Sequence, residues 1–228
     1  MLSTLIQFDQ DLLILLNGSE SIYWDNFWLI ITKVGTWIFF WCSLVYVLLR
    51  SFDWKHVLLI LLFVGIAILF ADQIASGICK PYFKRFRPSH EPLLADRITI
   101  IENHKGGLYG FMSSHAANGF AIFTYISLIV RHKWTTLCLL CYACLSSFSR
   151  IYLGLHYPGD ILCGAITGVL CGLLSYKLYV YFFSKYFKDR IYHSSNHTSS
   201  GIVKKDTSIS ILAFLITLTV VFIYSIIR

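Results

Sequence analysis

The chain of 228 residues is 57% hydrophobic and 14% charged, with a formal net charge of +7 and a mean hydropathy of +0.66. A soluble domain carries about 25% charged residues, so the polar surface that a soluble enzyme or a disordered chain requires is missing. The composition is that of a membrane protein, and the positive excess fits nucleic acid, an anionic substrate or cytoplasmic loops until its location is known.

The first segment, 2–16, mixes apolar residues with Gln7, Asp9, Gln10 and Asp11 and stops at Asn17-Gly18, a helix terminator by residue type. It lacks the basic start and small-residue end of a secretory signal, and its pattern predicts a helix lying in the membrane interface. A bilayer core takes about 20 apolar residues per helix. Six such stretches follow, at 28–49, 56–77, 115–130, 134–150, 160–183 and 208–227, the third and fourth being short. The expected fold is therefore all-α, a polytopic membrane protein of six transmembrane helices behind an N-terminal interfacial helix. Gly65, Gly119, Gly164, Gly168 and Gly172 lie inside these stretches, where small residues let helices approach closely.

Two polar segments interrupt the apolar ones. Residues 79–111 are rich in Pro, Gly and both charge signs, while 184–207 are rich in Ser, Lys and His and read as a flexible linker. The seven cysteines, Cys42, Cys79, Cys138, Cys141, Cys144, Cys163 and Cys171, lie with one exception in apolar runs. They read as buried small hydrophobes, with neither a disulfide nor a metal site expected.

Six spans put both termini on one face. The opposite face then holds Arg50, Lys55, Arg131, Lys133, Lys177, Lys185, Lys188, Arg190, Lys204 and Lys205 against Asp53, Asp189 and Asp206, which is the whole +7. The face with the termini carries nine basic and nine acidic residues. Setting aside Lys80, Arg87 and Arg150, which belong to the cluster described next, leaves ten Lys and Arg against six. The positive-inside rule makes the first set cytoplasmic and turns the termini outward.

Ionisable residues at membrane boundaries are costly and mark function by default. Three groups fall at the outward ends of spans two to five: 80–88 (KPYFKRFRP), Ser113-Ser114-His115, and Ser149-Arg150 with His156 and Asp160. Lys80, Arg87 and Arg150 supply charge and donor forks that suit a phosphate, and the amides that open the third span add helix-terminus donors. His156 and Asp160 are four residues apart, so they share a helical face if the turn continues through Tyr157-Pro158-Gly159, and otherwise meet by tertiary packing. A carboxylate on one ring nitrogen leaves the other free as nucleophile or base, and His115 can then protonate a departing oxygen.

On these residues the chain resembles the type 2 phosphatidic acid phosphatases, whose pocket is shared with vanadium haloperoxidases. Lys80 through Arg87-Pro88 matches the pattern K-x6-R-P, and Ser149-Arg150 through His156 to Asp160 matches S-R-x5-H-x3-D. The resemblance implies that His156 attacks phosphorus to give a phosphohistidine and that Asp160 orients and charge-stabilises it. It implies that His115 serves as acid to the leaving group and later as base to water. Lys80, Arg87, Ser113 and Arg150 would hold the phosphoryl oxygens, with the backbone or hydroxyl of Ser114 beside them, and no metal or other cofactor takes part. The middle motif departs from the family's P-S-G-H, with Met112 in place of Pro and Ser114 in place of Gly. Serine keeps the backbone N–H that the glycine offers.

The resemblance covers about 13–184, and with the apolar runs it leads to the expectation of one integral-membrane phosphatase domain over 1–228, with a catalytic core at about 72–175, a cytoplasmic linker at 184–207 and a last transmembrane helix at 208–227. Family members act on phosphatidic acid, phosphatidylglycerol phosphate, undecaprenyl diphosphate or lipid A. The surplus cations Lys84, Arg85, Arg97 and Lys105 suit a head group with a second phosphate or a large sugar, and Lys84 and Arg85 are expected at that head group. The stretch RPSHEP from Arg87 and the run GGLYGFMSSH ending at His115 are most similar to bacterial lipid A phosphatases, then to undecaprenyl diphosphatases. The implied partner is a lipid phosphate in the bacterial inner membrane, reached from the periplasm. Nucleic acid is not expected, and the sequence carries no signal of oligomeric state.

Among the remaining polar residues, His90, His104, His193 and His197 read as solvated loop histidines. Asn17-Gly-Ser and Asn196-His-Thr match glycosylation sequons, a common chance pattern. Asp72 pairs either with a site cation or with Lys33. Two other functions use the same residues: an anion transporter or channel, and a silent lipid-phosphate binder. Neither requires a nucleophilic histidine backed by an aspartate. A vanadate-dependent peroxidase needs no six-span membrane body.

Overall fold

The computed structural model describes residues 2–103, 105–186 and 197–227; 80% of the structure is helix. In chain order the helices are α1 Leu2–Leu16, α2 Ile22–Ile31, α3 Ile38–Ser51, α4 Trp54–Asp72, α5 Lys80–Phe83, α6 Ser114–Val130, α7 Lys133–Tyr152, α8 Pro158–Tyr186 and α9 Lys204–Ile227. Among the described residues, four helical segments are long and apolar enough to cross a membrane: Val34–Ser51, Trp54–Phe83, Pro158–Lys185 and Lys204–Ile227; Ser114–Val130 is apolar but shorter.

The first apolar stretch is not one helix. α2 ends at Ile31, the chain turns at Thr32 and Lys33, and a 3-10 turn, Val34–Trp37, leads into α3. Freed carbonyls in an apolar setting need partners. Thr36 Oγ1 donates to the Ile30 carbonyl at 2.6 Å and Trp37 Nε1 to that of Ile31 at 2.9 Å. The second stretch runs past Gly77: α4 continues through a π-helical segment, Gln73–Cys79, into α5. Such wide turns rotate the following residues and cluster at functional sites.

α6 and α8 form the closest pair. A side chain at Gly164, Gly168 or Gly172 would run into the backbone carbonyls of Ser113, Ala117 and Ala121 in turn, so the two backbones touch. Ala67, Ala71 and Ala75 from α4 and its π segment join Ala117, Ala121 and Cys171 in a small-residue core. Gly119 faces Ala143 of α7, whereas Gly65 has no neighbour and serves no such contact.

The α2, α3 and α9 flank is built from rings instead. Phe27 meets Phe222 at 4.8 Å, Trp37 meets Tyr142 at 5.0 Å and Phe214 at 5.8 Å, and Trp41 meets Tyr142 at 4.7 Å. An ion pair, Arg50 to Asp206 at 3.7 Å, closes the far end.

Three expectations change. Cys42 and Cys144 are exposed on helix surfaces rather than buried, since neither faces a neighbouring helix. The linker ends in an ordered turn: Thr198 N–H donates to the Ile202 carbonyl at 2.8 Å, Ser200 Oγ reaches the Val130 carbonyl, and Ile202 is fully buried. α9 accordingly starts at Lys204, not at 208. His104, Lys188, Asp189, Arg190, His193 and Asn196 lie outside the described residues.

α1 lies against the ends of α7 and α8. Leu13 is fully buried against Leu94, Ile151 and Tyr157. Asn17 locks the turn behind it: its amide nitrogen donates to the carbonyls of Thr99 (3.0 Å) and Tyr152 (2.7 Å), and its oxygen accepts from Thr99 N–H at 2.7 Å. A sequon amide so committed is a structural pin, not an acceptor.

Candidate active site

The local backbone brings the site together. α7 ends at Tyr152, and the Arg150 carbonyl in its last turn accepts from the N–H groups of Leu155 (3.0 Å) and His156 (3.2 Å). Gly154, at φ +69°, makes the reversal that lets the chain fold back. Pro158 then opens α8 from a position where a missing N–H costs nothing. His156 therefore precedes α8 and Asp160 sits in its first turn; the pair meets across a helix start rather than along a helix face. Nδ1 of His156 lies 3.4 Å from Asp160 Oδ2, which also accepts from Tyr157 N–H at 3.1 Å.

The other ring nitrogen is equally defined. Nη1 of Arg87 stands 3.1 Å from His156 Nε2. A guanidinium only donates, so Nε2 is the unprotonated, electron-bearing nitrogen and Nδ1 carries the proton on the Asp160 side. With 1% of its surface exposed, His156 is shielded from water. Burial first, then the fields of Arg87, Arg150 and Lys80, hold it well below the usual imidazole range, so it is neutral near pH 7.

The cations come from three elements. Arg87 ends a ribbon in which Arg87 N–H donates to the Leu108 carbonyl (3.0 Å) and Gly110 N–H to that of Arg85 (2.9 Å). Its side chain reaches the carbonyls of Tyr109 and Leu155, both at 3.3 Å. Gly110 allows this: a side chain there would press on Arg87 and Asp160. Arg150, 7% exposed, spends Nη1 on Thr32 Oγ1 at 2.9 Å. Its buried Nε has no partner among the described residues, a donor to spare for an anion. Lys80, turned by the π segment, donates to Ser76 Oγ (3.0 Å) and Ser114 Oγ (3.3 Å), and Ser76 Oγ donates to Asp72 at 3.3 Å. Asp72 thus belongs to the Lys80 side.

Ser113 caps α6, its hydroxyl accepting from Ala116 N–H at 3.4 Å while its own N–H donates to the Asp160 carbonyl at 3.1 Å. That second bond ties the start of α6 to the start of α8. His115 stands in the first turn of α6, half-buried, within the fields of Arg150, His156, Arg87 and Lys80. Met112 is buried in the small-residue core and accepts from Thr167 Oγ1 at 3.3 Å, so it fills space between α6 and α8. Ser149 turns its hydroxyl back onto the Ser146 carbonyl.

Lys84 is exposed at the rim, at a left-handed φ of +48°. Arg85, expected beside it at the head group, is instead committed inward: it pairs with Asp160 at 3.0 Å and with Asp9 at 2.7 Å. His90 faces the Gly106 carbonyl at 3.3 Å. Thr32 and Asp9 escape sequence reading, because each meets its partner at a separation of 118 and 76 residues, with several helices between. The assembled groups can bind a phosphoryl anion and present to it a neutral imidazole whose proton is held on the far side.

Known proteins resemble this chain over the same residues. The family model described as the PAP2 superfamily matches residues 59–184. The lipid A 4′-phosphatase of Bacteroides thetaiotaomicron is 34% identical over 229 residues, covering 100% of both chains. The lipid A 4′-phosphatase of Porphyromonas gingivalis is 33% identical over 177 residues, covering 78% of this chain and 75% of that one. The crystal structure of Aquifex aeolicus LpxE is similar with a TM-score of 0.57 and 26% identity, over 74% of this chain and 94% of that one.

Proposed function

This chain belongs to the PAP2 superfamily, and on that premise we propose that it is a phosphate-ester hydrolase that removes the 4′-phosphate of lipid A. Lys80, Arg87, Arg150 and the Ser113 and Ser114 donors hold the phosphoryl oxygens, spreading the charge that develops in the transition state. Nε2 of His156 attacks phosphorus in line. As the new N–P bond forms, the bond from phosphorus to the sugar oxygen breaks, and His115 gives that oxygen its proton. The phosphohistidine is then opened by water, from which His115 takes a proton, releasing inorganic phosphate and restoring both rings. Asp160 holds the His156 tautomer and offsets the charge the ring acquires.

The observation that carries the chemistry is the orientation of His156, with Nδ1 on the Asp160 carboxylate and Nε2 facing the cations; a binding or transport protein has no use for it. The lipid A substrate rests on the end-to-end likeness to relatives named for that activity, and exposed Lys84 suits a contact to its large head group. We place the chain in the bacterial inner membrane with six crossings, α6 and α7 supplying the third and fourth, and α1 in the outer interface. The site then opens to the periplasm, in keeping with the Lys and Arg surplus on the other face.

The test offers lipid A, undecaprenyl diphosphate and phosphatidic acid side by side to detergent-purified protein and follows both products by mass spectrometry. The expected result is a mass loss of one phosphate from the 4′ side of lipid A, abolished about 10⁴-fold or more by His156→Ala. Phosphate release from undecaprenyl diphosphate alone would replace the substrate. Release that survives His156→Ala would remove the mechanism.

A further inference from the structure

Asp9 lies on α1, outside the segment matched by the family model, and yet both of its carboxylate oxygens end at the active site. Oδ2 receives Nη2 of Arg85 at 2.7 Å, and Oδ1 accepts from the backbone N–H of Gly159 at 2.7 Å, one residue before Asp160. Gly159 has no room for a side chain, since a Cβ there would come within 2.9 Å of the Asp9 carboxylate. Arg85 in turn donates through Nη1 to Asp160 Oδ1 at 3.0 Å and lies 3.8 Å over the Tyr157 ring. The fork is fixed on both prongs and on its face.

The two oxygens of fully buried Asp160 are thereby divided. Oδ1 belongs to Arg85, while Oδ2 is left to His156 Nδ1 and Tyr157 N–H. A carboxylate free to rotate about its own axis would offer either oxygen at varying angle and would hold the imidazole tautomer loosely. We infer that Asp9 and Arg85 are positioning residues for the proposed hydrolysis: together they fix the Asp160 carboxylate that orients His156, making the N-terminal helix a working part of the active site. The inference rests on the phosphohistidine reading above. A plain docking role for the same ion pair predicts different behaviour, because α1 already has an anchor in Leu13, packed on Leu94, Ile151 and Tyr157.

The experiment uses full-length protein in detergent with lipid A as substrate and the variants Asp9→Asn, Asp9→Glu, Arg85→Gln and the Asp9→Asn, Arg85→Gln double. Asparagine keeps an oxygen for the Gly159 N–H and replaces the charged acceptor that holds Arg85 by an NH2 group that cannot accept from it. Expected are losses in kcat of about 10-fold for Asp9→Asn and about 100-fold for Arg85→Gln with KM within about twofold, the signature of misplacement rather than lost binding. Asp9→Glu recovers most of the rate, and the double variant is no slower than Arg85→Gln alone, because the two act along one chain. A rise in KM at constant kcat would make these residues head-group contacts and overturn the inference, as would multiplicative losses in the double variant or unchanged kinetics.

A second readout needs no turnover. With ¹⁵N-labelled histidine, the His156 ring signals, assigned by their loss in His156→Ala, should show one tautomer in the unsubstituted protein and a mixture in Asp9→Asn. A single tautomer in both overturns the inference. If the protein hydrolysed none of the lipids, the proposed function would fall while this spectrum still decided the role of Asp9, even where Arg85→Gln did not fold.

Discussion

The two halves of the membrane body solve the same packing problem in opposite ways. In the α4, α6 and α8 half, alanines and glycines bring backbones into contact, with Gly164 and Gly168 lying directly on the Ser113 and Ala117 carbonyls. In the α2, α3 and α9 half, rings such as Phe27, Trp37, Phe40 and Phe214 keep the helices apart. Between apolar helices in lipid there is little hydrophobic gain, so both halves depend on van der Waals fit. Backbone contact leaves no slack, whereas a ring can tilt and still touch. The site residues that must hold their place, Lys80, Ser113, His115 and Asp160, stand on the first half. The second half reaches a site cation through the Thr32 hydroxyl under Arg150.

That contrast can be broken in order of size. Gly168→Val inserts a branched side chain against the Ala117 backbone, and overpacking of this kind costs about 3 kcal/mol or more; phosphate release should fall at least 100-fold and the unfolding midpoint in detergent should drop clearly. A variant with normal activity would show that α6 and α8 are not held at backbone contact. Thr32→Val deletes the bridge between the halves. Losing a hydrogen bond to a charged group costs about 1.5–3 kcal/mol of stability, so the unfolding midpoint should drop by a few degrees, and with Arg150 no longer held kcat/KM should fall roughly 10-fold. Phe214→Leu, in the ring-packed half, should lower the midpoint by a few degrees and leave kcat/KM within about twofold.

The smallest effect is one of pH. Because burial and three cations hold His156 well below 6.5 in the free protein, its nucleophilic form is complete above that value and is lost only as pH falls through the depressed pKa. kcat/KM should therefore show no acid-side decline between pH 8 and 6.5, since it reports the free enzyme. An acid limb centred at 6.5 or higher would mean that the cations do not act on His156 as the structure has them.

The sequence makes the helices visible within a few residues, because long apolar runs and helix stops such as Asn17-Gly18 are local signals. The spaced motifs likewise pick out Lys80, Arg87, Arg150, His156 and Asp160, which the structure draws into one pocket. Three features are silent at that level. The break at Thr32 and Lys33 lies inside a stretch long enough for one span, where a single lysine and glycine do not by themselves announce a turn, and the side chains of Thr36 and Trp37 help to repair it. The π segment before Lys80 has the composition of any membrane helix. The Asp9 to Arg85 pair joins residues 76 apart, and no periodicity connects them; read alone, Arg85 is one more exposed cation in a basic run.

The ribbon that carries Arg87 also closes a loop. With Arg87 hydrogen-bonded to Leu108 and Arg85 to Gly110, residues 88–107 leave and return through one narrow neck. Inside the loop, Leu94 under α1, Thr99 on Asn17 and Ile101 against Leu29, Tyr152 and Leu155 are footholds. The reacting groups at 150–160 lie on a different connection altogether. An exchange of this loop that spared the phosphate site would therefore have to keep the neck, Leu94, Thr99, Ile101 and also Gly106, which sits against the Arg87 guanidinium.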